Sequence, residues 1–352
     1  MSYIEILQAK HGDSFIIHCN RDGNEGVVIV DCGPSSSYIN IKKRLETFSV
    51  IDLLILTHYD DDHIGGLVKY INRSYKNESF PIKEMWVNNA VTYKVASSSD
   101  LTYGQAGELR NLLSKIKERT GVPQWELYVV EGYKVSFPFA DIEVISPTQE
   151  IQQLNLKKLN EEVGVNLSAT KRIKEDFSLS FEELALRPKL EPNLESTSQL
   201  VNACSIAFIL KCDGLSLLML GDSFPQTVER YLREKQGISE INKLHVDYVK
   251  VAHHGSRNNI SNELLDIIDC DNFIFSTNGG IANANHPDRE AIANILCHPQ
   301  RNRNKKIHLY FNYLLNDIIE SGAQFLNTET DNQEKYNFEI HESTQSLPNI
   351  CQ

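Results

Sequence analysis

The densest group of potential metal ligands in this sequence is the stretch Thr57–Gly66, which reads THYDDDHIGG. Two histidines flank three consecutive aspartates, directly behind the apolar run Asp52–Leu56. Such a run predicts a buried strand, and open α/β sheets bind ligands beyond the carboxyl ends of their strands. Four side chains here could bind metal: His58, Asp60, Asp62 and His63. Their spacing predicts two neighbouring cation positions; the alternative is a solvated acidic loop whose aspartates cap a helix.

The second half of the chain ends two further apolar runs in potential ligands. Leu217–Asp222, LLMLGD, ends in a carboxylate, and Tyr248–Ser256, YVKVAHHGS, contains adjacent histidines. A single aspartate after a strand is usually a helix cap, and a single histidine in apolar sequence is usually a hydrogen-bonded core residue. Each signal is therefore weak by itself. Together with the first motif, they predict one constellation of ligands at the strand ends of a sheet.

These motifs resemble those of the metallo-β-lactamase-fold hydrolases in order and approximate separation. They are Asp31-Cys32-Gly33, His58-x-Asp60-x-Asp62-His63, Asp222 and His253-His254-Gly255-Ser256. With Asp60 in place of the second histidine of His-x-His-x-Asp-His, the sequence is similar to the hydrolase domain of ComEC-type DNA-uptake proteins. Three shorter similarities extend the resemblance over about residues 3 to 295: Gln8–Ser14, Asn202-x-x-Ser205 and His286-Pro287.

The resemblance implies a four-layer αβ/βα sandwich with its site along one edge of the two sheets. It also implies a role for each matched position: His58 and Asp60 for one metal, Asp62, His63 and His253 for the other, Asp222 as the bridge, and Asp31 orienting a ligand. The sequence departs from the family in one respect, because no histidine lies between His63 and His245, where the family usually has another. The first metal would then be weakly held, take another ligand, or bind only with substrate.

The ligand types bear on which metals would bind. Replacing an imidazole by a carboxylate makes the site harder and moves its preference from Zn²⁺ toward Mn²⁺ or Mg²⁺, although three histidines still suit zinc. We expect Mn²⁺ first and Zn²⁺ second. Two such ions, roughly 3.5–4 Å apart, would activate a bridging hydroxide as nucleophile and clamp the attacking and leaving oxygens of an in-line displacement. This chemistry suits a phosphodiester, with Asp62 serving catalysis as a ligand.

Further residues near the second motif could assist the reaction. His254 and His286 are candidates for protonating the leaving oxygen or holding a phosphate oxygen, although a structural hydrogen bond explains His254 and a loop or cap role explains His286 equally well. Asp13 is expected to be structural. Three residues follow the histidine pair at an expected helix start, where they would bind an anion through backbone N–H groups or simply cap the helix: Ser256, Arg257 and Asn258.

Strand and helix patterns alternate along the chain and predict an α/β fold with covered sheet faces. Expected strands include Gly26–Asp31, Leu53–Leu56 and a short one at Trp125–Val130, and a helix is expected to begin near Gly65. We expect a hydrolase domain over residues 1–306, with a polar insertion or lid at 149–198. Residues 307–352 would form a C-terminal extension that completes the fold or recruits a partner; the insertion could bind a protein as well.

Composition limits the classes of function. The chain has 352 residues and a formal net charge of −12, which argues against broad nonspecific attraction to nucleic acid, so a polyanionic substrate would be attracted locally. Seven scattered cysteines without CxxC spacing predict reduced, mostly buried thiols. No apolar run approaches the ~20 residues of a membrane span, and no secretory signal is recognisable. We therefore expect no membrane partner and a cytoplasmic location.

Three functions are consistent with these observations. The first is a metal-dependent phosphodiesterase, most concretely a nuclease acting on DNA or RNA. The second is hydrolysis of a small substrate, such as a cyclic nucleotide, a phosphate ester or a lactone, with the insertion as a lid. The third is a metal-binding regulatory module in a multiprotein system, which the absent family histidine motivates. We favour the nuclease, because structural zinc sites normally close with four ligands and do not keep this many carboxylates.

Overall fold

The computed structural model describes residues 1–74, 77–88, 101–125, 128–161, 177–281, 285–327 and 331–349, without the side chains of 101–103 and 159–161. The strands in these ranges are β1 Tyr3–Ile6, β2 Phe15–Arg21, β3 Asn24–Val30, β4 Ile51–Ile55, β5 Ile82–Trp86, β6 Lys134–Phe137, β7 Ala140–Ser146, β8 Ala207–Cys212, β9 Leu215–Met219, β10 Leu244–His245, β11 Tyr248–Lys250, β12 Ile268–Asp269, β13 Asn272–Phe275, β14 Ile307–Phe311, β15 Phe338–His341 and β16 Ser346–Pro348.

Helices connect most of these strands. They are α1 Tyr38–Leu45, α2 Asp61–Ser74, α3 Leu101–Thr120, α4 Gln149–Glu161, α5 Phe181–Ala185, α6 Thr197–Ala203, α7 Pro225–Gln236, α8 Asn262–Leu265, α9 Arg289–Cys297, α10 Leu315–Glu320 and α11 Gln333–Tyr336, with a 3₁₀ turn at Ala252–Gly255. Helix α2 begins at Asp61, four residues before the expected start at Gly65. Within the described ranges, every helix is too short or too polar to cross a membrane.

The strands form two large sheets and one short pair. In the described residues, the first sheet has the order β16-β1-β2-β3-β4-β5, the second has the order β15-β14-β13-β11-β9-β8-β7-β6, and β10 pairs with β12. Strands β3, β4 and β5 are mutually parallel, and so are β9, β11, β13, β14 and β15. The parallel part of each sheet therefore brings successive carboxyl ends to one edge, where ligand sites form.

Side chains along the central strands alternate between two cores. On β3, Val28 and Val30 lie between the two sheets, whereas Ile29 faces the helices that cover the first sheet. On β9, Leu217 lies between the sheets and Leu218 faces the helices of the second sheet. Because both faces are covered, these strands are continuous apolar runs in the sequence.

Helices complete the outer layers. Buried side chains of α1, α2 and α3 pack on the first sheet, and those of α5, α7, α8 and α9 pack on the second. The order of layers is helices, sheet, sheet, helices. The expected α/β fold, a four-layer αβ/βα sandwich, is confirmed.

The strand expected at Trp125–Val130 is wrong for its described residues. Of these, 126–127 lie outside the description, and the other four form no strand; the adjacent Gln124 makes only an isolated bridge to Glu84. The Asn88 side chain takes the part of a strand partner, since its Nδ2 donates to the Val129 carbonyl at 2.6 Å and its Oδ1 accepts from the Val129 N–H at 2.7 Å. An amide side chain thus satisfies backbone that a ladder would otherwise pair.

Two segments set apart in the sequence contribute to the layers. In the expected insertion at 149–198, of which 162–176 lie outside the description, Phe181 and Leu184 of α5 are buried against the second sheet's outer core. In the C-terminal segment, β14 and β15 extend the second sheet, and β16 pairs antiparallel with β1 of the first. Six cysteines in the described ranges are free thiols, buried or half-buried, while Cys351 lies outside them.

Candidate metal centre

The candidate ligands lie at the carboxyl ends of four parallel strands from the two sheets. Asp31 follows β3, the acidic loop follows β4, Asp222 follows β9, and the histidine pair follows β11. Backbone bonds hold these ends together: the Cys32 N–H donates to the His63 carbonyl at 3.1 Å, and the His253 N–H to the Gly221 carbonyl at 2.9 Å. The topology therefore assembles residues that are up to 223 positions apart in numbering (Asp31 and His254, 254 − 31).

A glycine pair allows the acidic loop to approach the loop after β3. A Cβ atom added at Gly66 would lie 1.9 Å from the Cys32 carbonyl oxygen, and one added at Gly65 would lie 2.5 Å from the Ser35 nitrogen. The Gly66 N–H donates to the Gly33 carbonyl at 2.8 Å across the same contact. The first turn of α2 can come this close only because neither glycine carries a side chain.

Three histidines are each oriented by a partner at Nδ1. His63 Nδ1 lies 2.8 Å from Asp31 Oδ2, His58 Nδ1 lies 3.1 Å from Ser205 Oγ and 3.0 Å from the adjacent hydroxyl of Thr57, and His254 Nδ1 lies 2.8 Å from the Ser276 carbonyl. Metal-binding histidines commonly engage their second ring nitrogen in this way, which fixes the ring and its tautomer. The Nε2 atoms are then available to a metal.

The fourth histidine, His253, is positioned by Asn202. Its Nδ1 lies 3.4 Å from Asn202 Nδ2, while Asn202 Oδ1 is buried without a hydrogen-bond partner among the described residues. Turning this amide by 180° would place its oxygen at the ring nitrogen as an acceptor. His253 and His254 both have left-handed backbone conformations, with φ of 49° and 54°. This tight turn directs two successive side chains toward one site.

The Nε2 atoms of the four histidines converge on Asp222. Asp222 Oδ2 lies 3.8 Å from His58, 3.6 Å from His253 and 4.0 Å from His254, whereas Oδ1 lies 3.5 Å from His63. Two donors on one ion at about 2.0–2.2 Å lie about 2.8–3.6 Å apart. Two of the observed separations, 3.5 and 3.6 Å, fall within that range, and the other two, 3.8 and 4.0 Å, lie slightly beyond it. Both oxygens of Asp222 thus face potential ligand nitrogens at distances close to those of a metal site.

Two further carboxylates stand on either side of this bridge. Asp60 Oδ2 lies 3.7 Å from His58 Nε2, while Asp62 Oδ2 lies 3.9 Å from His63 Nε2 and 3.2 Å from His254 Nε2. The side chains around Asp222 and Asp62 form two compact groups of potential ligands, in each of which the ligand atoms lie within 4.8 Å of one another. One group is His58, His63 and Asp222, and the other is Asp62, His63 and His254. The geometry thus places His254 beside Asp62, the position that the resemblance implied for His253.

Buried atoms without partners support a metal in this site. Within the described chain, His58 Nε2, His63 Nε2 and Asp222 Oδ1 are buried and have no hydrogen-bond partner. A buried polar atom left unpaired costs roughly 1–3 kcal/mol. All three atoms face the same space and are metal ligands by type. The residues present therefore fit divalent cations at the site.

The charges of the site's own side chains show what a cation would replace. Burial would raise the pKa of Asp222, but His253, His63 and His254 hold it well below its usual value. Burial alone would lower the pKa of His254, yet Asp13, Asp222 and Asp62 raise it to about 10. Burial and the nearby His63 lower the pKa of His58 to about 3. Protons on histidines thus offset the carboxylates, and metal binding would release protons.

Behind the centre lies a buried ion pair that involves Asp13 and Lys250. The Lys250 ammonium contacts Asp13 Oδ2, donates to the Gly221 carbonyl at 2.9 Å and lies 3.8 Å from Asp222 Oδ1. Burial would raise the pKa of Asp13, but Lys250 lowers it to about 2. Asp13 Oδ1 also lies 3.3 Å from His254 Nδ1. This pair places positive charge behind the bridging carboxylate.

The helix start expected directly after the histidine pair is wrong. Three residues follow the pair and lie in a turn: Ser256, Arg257 and Asn258. The next helix is the four-residue α8, which begins at Asn262 after its cap Ser261. The Ser256 N–H donates to the His253 carbonyl at 2.8 Å, and the Arg257 N–H and guanidinium contact Asp288. The backbone N–H groups of Ser256 and Arg257 thus donate within the chain, and this turn does not form the N-terminus of a helix.

His286 lies at the rim of the centre. Its ring centroid is 5.2 Å from that of His253, and its Nδ1 is 3.6 Å from Asp288 Oδ2. That nitrogen is buried without a hydrogen-bond partner in the described residues. His286 therefore flanks the ligands on the side of His253, close enough to face a bound substrate.

Apart from Asp31, most residues that position the ligands could not be assigned from the sequence. Thr57 donates its N–H and hydroxyl to Asp31, both at 2.8 Å, and Ser205 Oγ accepts the Asp222 N–H at 3.0 Å. Only the Asn202-x-x-Ser205 similarity pointed to one of them. Lys250 carried a signal of its own, because a single cation inside the apolar strand YVKVA needs a buried partner.

We expect Asp31→Asn to lower metal affinity and any hydrolytic rate about 10–100-fold, the usual range for residues that orient a metal ligand. The amide retains an acceptor for Thr57 but carries no charge to hold the proton on His63 Nδ1. Isothermal titration with Mn²⁺ or Zn²⁺ measures the affinity. Asp52→Asn, at a half-buried carboxylate that accepts the Val27 N–H at 3.0 Å, is the control. Equal affinities for both variants would contradict the orienting role.

Part of this chain matches a known protein family. The sequence-family model of the metallo-β-lactamase superfamily matches residues 9–78, which include the loop after β3 and the whole acidic loop. The members of this superfamily are metallohydrolases. A search of curated proteins finds no match to this sequence.

Several solved structures are similar to this chain at low sequence identity. The metallo-β-lactamase fold protein YhfI from Bacillus subtilis is 10% identical, covers 99% of this chain and 100% of its own, and gives a TM-score of 0.38. Zn²⁺-bound PqqB from Methylobacterium extorquens is 9% identical, with 98% and 99% covered and a TM-score of 0.42. A metallo-β-lactamase from Cronobacter sakazakii is 12% identical and gives a TM-score of 0.28. The match covers 62% of this chain and 56% of the other, so this chain spans about half the length of that protein. The family match over the acidic loop and the two covered sheets give this chain the metallo-β-lactamase fold.

Proposed function

We propose that this protein is a metal-dependent phosphodiesterase, most concretely a nuclease. One observation carries the proposal: four imidazole nitrogens face Asp222 at 3.5–4.0 Å, with Asp60 and Asp62 beside them. This is a set of ligands for two neighbouring divalent ions, and two-ion sites are suited to in-line displacement at phosphorus. The resemblance to ComEC-type hydrolase domains supports a nucleic-acid substrate, and we propose a cytoplasmic setting.

The adjacent histidines divide between the two ions in this proposal. His254 joins Asp62 and His63 on one ion, because its Nε2 is 3.2 Å from Asp62 Oδ2. His253 joins His58 and Asp60 on the other through Asp222 Oδ2. His253 thereby takes the place of the histidine that the family usually has between the two motifs. Asp222 faces His63 through Oδ1 and His253 through Oδ2, so it would help to hold both ions even without that histidine.

When bound, divalent ions supply Lewis-acid stabilisation of phosphate oxygens and an activated water. The chain's own residues hold these ligands in place and control charge. Asp31 and Ser276 keep protons at the Nδ1 atoms of His63 and His254 and so direct their Nε2 lone pairs to the centre. The ammonium of Lys250 offsets part of the charge of Asp222. This helps the fold to tolerate the carboxylates of Asp60, Asp62 and Asp222 close together.

The carboxylate-rich ligand set supports Mn²⁺ first, with Zn²⁺ and Mg²⁺ as alternatives. It also supports a phosphodiester over a lactone, because hard ions paired by a carboxylate bind two oxygens of one phosphate. The acidic chain, with its net charge of −12, would rely on the bound cations for attraction of a polyanion. Binding of a nucleic acid should therefore depend on metal occupancy.

The test uses metal-stripped protein with labelled single- and double-stranded DNA and RNA, and with bis(p-nitrophenyl) phosphate. Mn²⁺, Zn²⁺ or Mg²⁺ is added back, and Asp62→Ala is the inactive control. We expect metal-dependent cleavage of a polymer that is lost in the variant. Cleavage of the small diester alone would replace the nuclease by a small-substrate phosphodiesterase, and absence of cleavage despite bound metal would favour a regulatory metal-binding module.

We expect His286→Gln to slow polymer cleavage about 10²-fold or more while changing hydrolysis of bis(p-nitrophenyl) phosphate little. General-acid assistance contributes about 10²–10⁴-fold where the leaving group needs a proton. A sugar oxygen needs one, whereas p-nitrophenolate leaves without one. The ratio of the two rates measures the effect, and His245→Gln, at an exposed histidine next to Asp269, is the control. Equal losses on both substrates would show that His286 is not a proton donor.

A further inference from the structure

A second group of metal-ligand side chains lies on the last two strands of the second sheet. Strands β14 and β15 are parallel, with His308 opposite Glu339 and Tyr310 opposite His341. Residues two apart on a strand face the same side, so these four side chains share one face. We call His308, Glu339 and His341 the edge cluster, because β15 is the edge strand of its sheet among the described residues.

The distances within the edge cluster suit a single ion. His308 Nδ1 lies 3.0 Å from His341 Nε2 and 3.9 Å from Glu339 Oε2, and all three ligand atoms come within 4.8 Å of one another. Donors of a tetrahedral zinc ion, bound at about 2.0–2.2 Å, lie about 3.3–3.6 Å apart. The two observed distances fall on either side of that range. Small rotations of these half-buried side chains would bring all three atoms to one ion.

The surroundings hold the rings in place and leave access from solvent. The His341 ring stacks on Tyr310 at 4.5 Å with an interplanar angle of 14°, and the Tyr310 hydroxyl donates to Asn272 Oδ1 at 3.3 Å. The side chains of His308 and Glu339 are 30% and 45% exposed, which leaves room for a water as fourth ligand. Lys306 Nζ lies 3.4 Å from Glu339 Oε2 and is itself half exposed, so a divalent ion can displace it.

The edge cluster is separate from the candidate metal centre. His308 pairs with Asn272, the first residue of β13, whereas the centre follows the last residues of β9 and β11. His308 and Glu339 therefore lie toward the starting end of the sheet, whereas His341 is level with Lys250 at the end of β11. Strands β13 and β14 lie between β11 and the edge strand, and they separate His341 from the centre. The two sites share no residue.

We propose that the edge cluster binds a transition-metal ion, with Zn²⁺ favoured. Two imidazoles and one carboxylate are ligands that zinc accepts in tetrahedral sites, and they are too few hard oxygens for Ca²⁺ or Mg²⁺. The ion connects residues of β14 to the edge strand β15. Since anything bound only by the folded chain stabilises it, zinc at the cluster should also stabilise the fold.

The experiment compares zinc stoichiometry in the full chain and in His308→Ala/His341→Ala. Both are metal-stripped, dialysed against Zn²⁺ and measured by elemental analysis, and both are made again in an Asp222→Asn background that disables the candidate metal centre. We expect the double variant to hold one zinc fewer in each background, whatever the centre binds. His245→Ala, which removes an exposed histidine elsewhere, should keep the full stoichiometry.

A second measurement covers the case in which the double variant folds poorly. His341→Asn removes one ligand from an exposed edge and should retain the fold, as thermal unfolding without metal would show. Added Zn²⁺ should raise the unfolding temperature less for this variant than for its parent in the Asp222→Asn background. Equal stoichiometry and equal zinc-induced shifts in parent and variants would overturn the edge site while leaving the proposed phosphodiesterase untouched.

Discussion

Asp62→Asn is expected to abolish metal-dependent hydrolysis, with a loss well beyond the roughly 10–100-fold typical of residues that only orient a ligand. Its carboxylate lies 3.2 Å from His254 Nε2 and 3.9 Å from His63 Nε2, and these three side chains form one of the two compact ligand groups. Asparagine keeps the size of the side chain but loses the negative charge that a divalent ion requires. His63→Ala should have the same effect on the rate.

The neighbouring residue provides a matched control for this substitution. Asp61 Oδ1 accepts a hydrogen bond from Gln105 Nε2 at 2.7 Å, on the side of α3, and asparagine can still accept it. Asp61→Asn should therefore retain activity while changing the net charge by the same amount. Rates are measured on bis(p-nitrophenyl) phosphate with saturating Mn²⁺, and far-ultraviolet circular dichroism checks the fold. Retained activity in both Asp62→Asn and His63→Ala would end the two-ion interpretation.

Asp222→Asn is expected to lose both ions at once. Its two oxygens face different histidines, Oδ1 toward His63 at 3.5 Å and Oδ2 toward His253 at 3.6 Å, so one residue serves two positions. A neutral amide cannot bridge two cations, and its NH₂ group would face one of them. The loss in metal affinity should exceed that of Asp31→Asn, because Asp31 acts only through His63.

Isothermal titration with Mn²⁺ and elemental analysis measure this effect. Ser223→Ala is the control, since that buried hydroxyl has no hydrogen-bond partner among the described residues and follows Asp222 directly. The control should bind two ions in the candidate metal centre. If Asp222→Asn instead lost only one ion, Asp222 would be a ligand of a single metal, and the shared-bridge geometry would need replacement.

The sequence alone predicted the covered sheets and the edge at which the site forms. The apolar run Asp52–Leu56 is followed directly by the acidic loop, and Leu217–Asp222 ends in a carboxylate. These signals are local, because burial of a strand and the polarity of the residues after it are properties of a few consecutive positions. The orienting role of Asp31 came from resemblance, and its 2.8 Å contact with His63 Nδ1 agrees with it.

Only the tertiary structure determined which side chains contact each other at the site. His253 and His254 are adjacent in sequence, so spacing could not tell which ring approaches Asp62; two left-handed residues in succession set that direction. The sequence made Arg257 a candidate for binding an anion, but the fold places Asp288 against its guanidinium.

Tertiary contacts also determined the buried ion pair behind the centre and the edge cluster on β14 and β15. Asp13 and Lys250 are 237 positions apart (250 − 13), and neither is explained until burial brings the two charges into contact. The edge cluster likewise depends on the parallel register of β14 and β15, which pairs residues about thirty positions apart. Local patterns determine which segments are buried, whereas contacts between distant polar side chains depend on the register and packing of the whole fold.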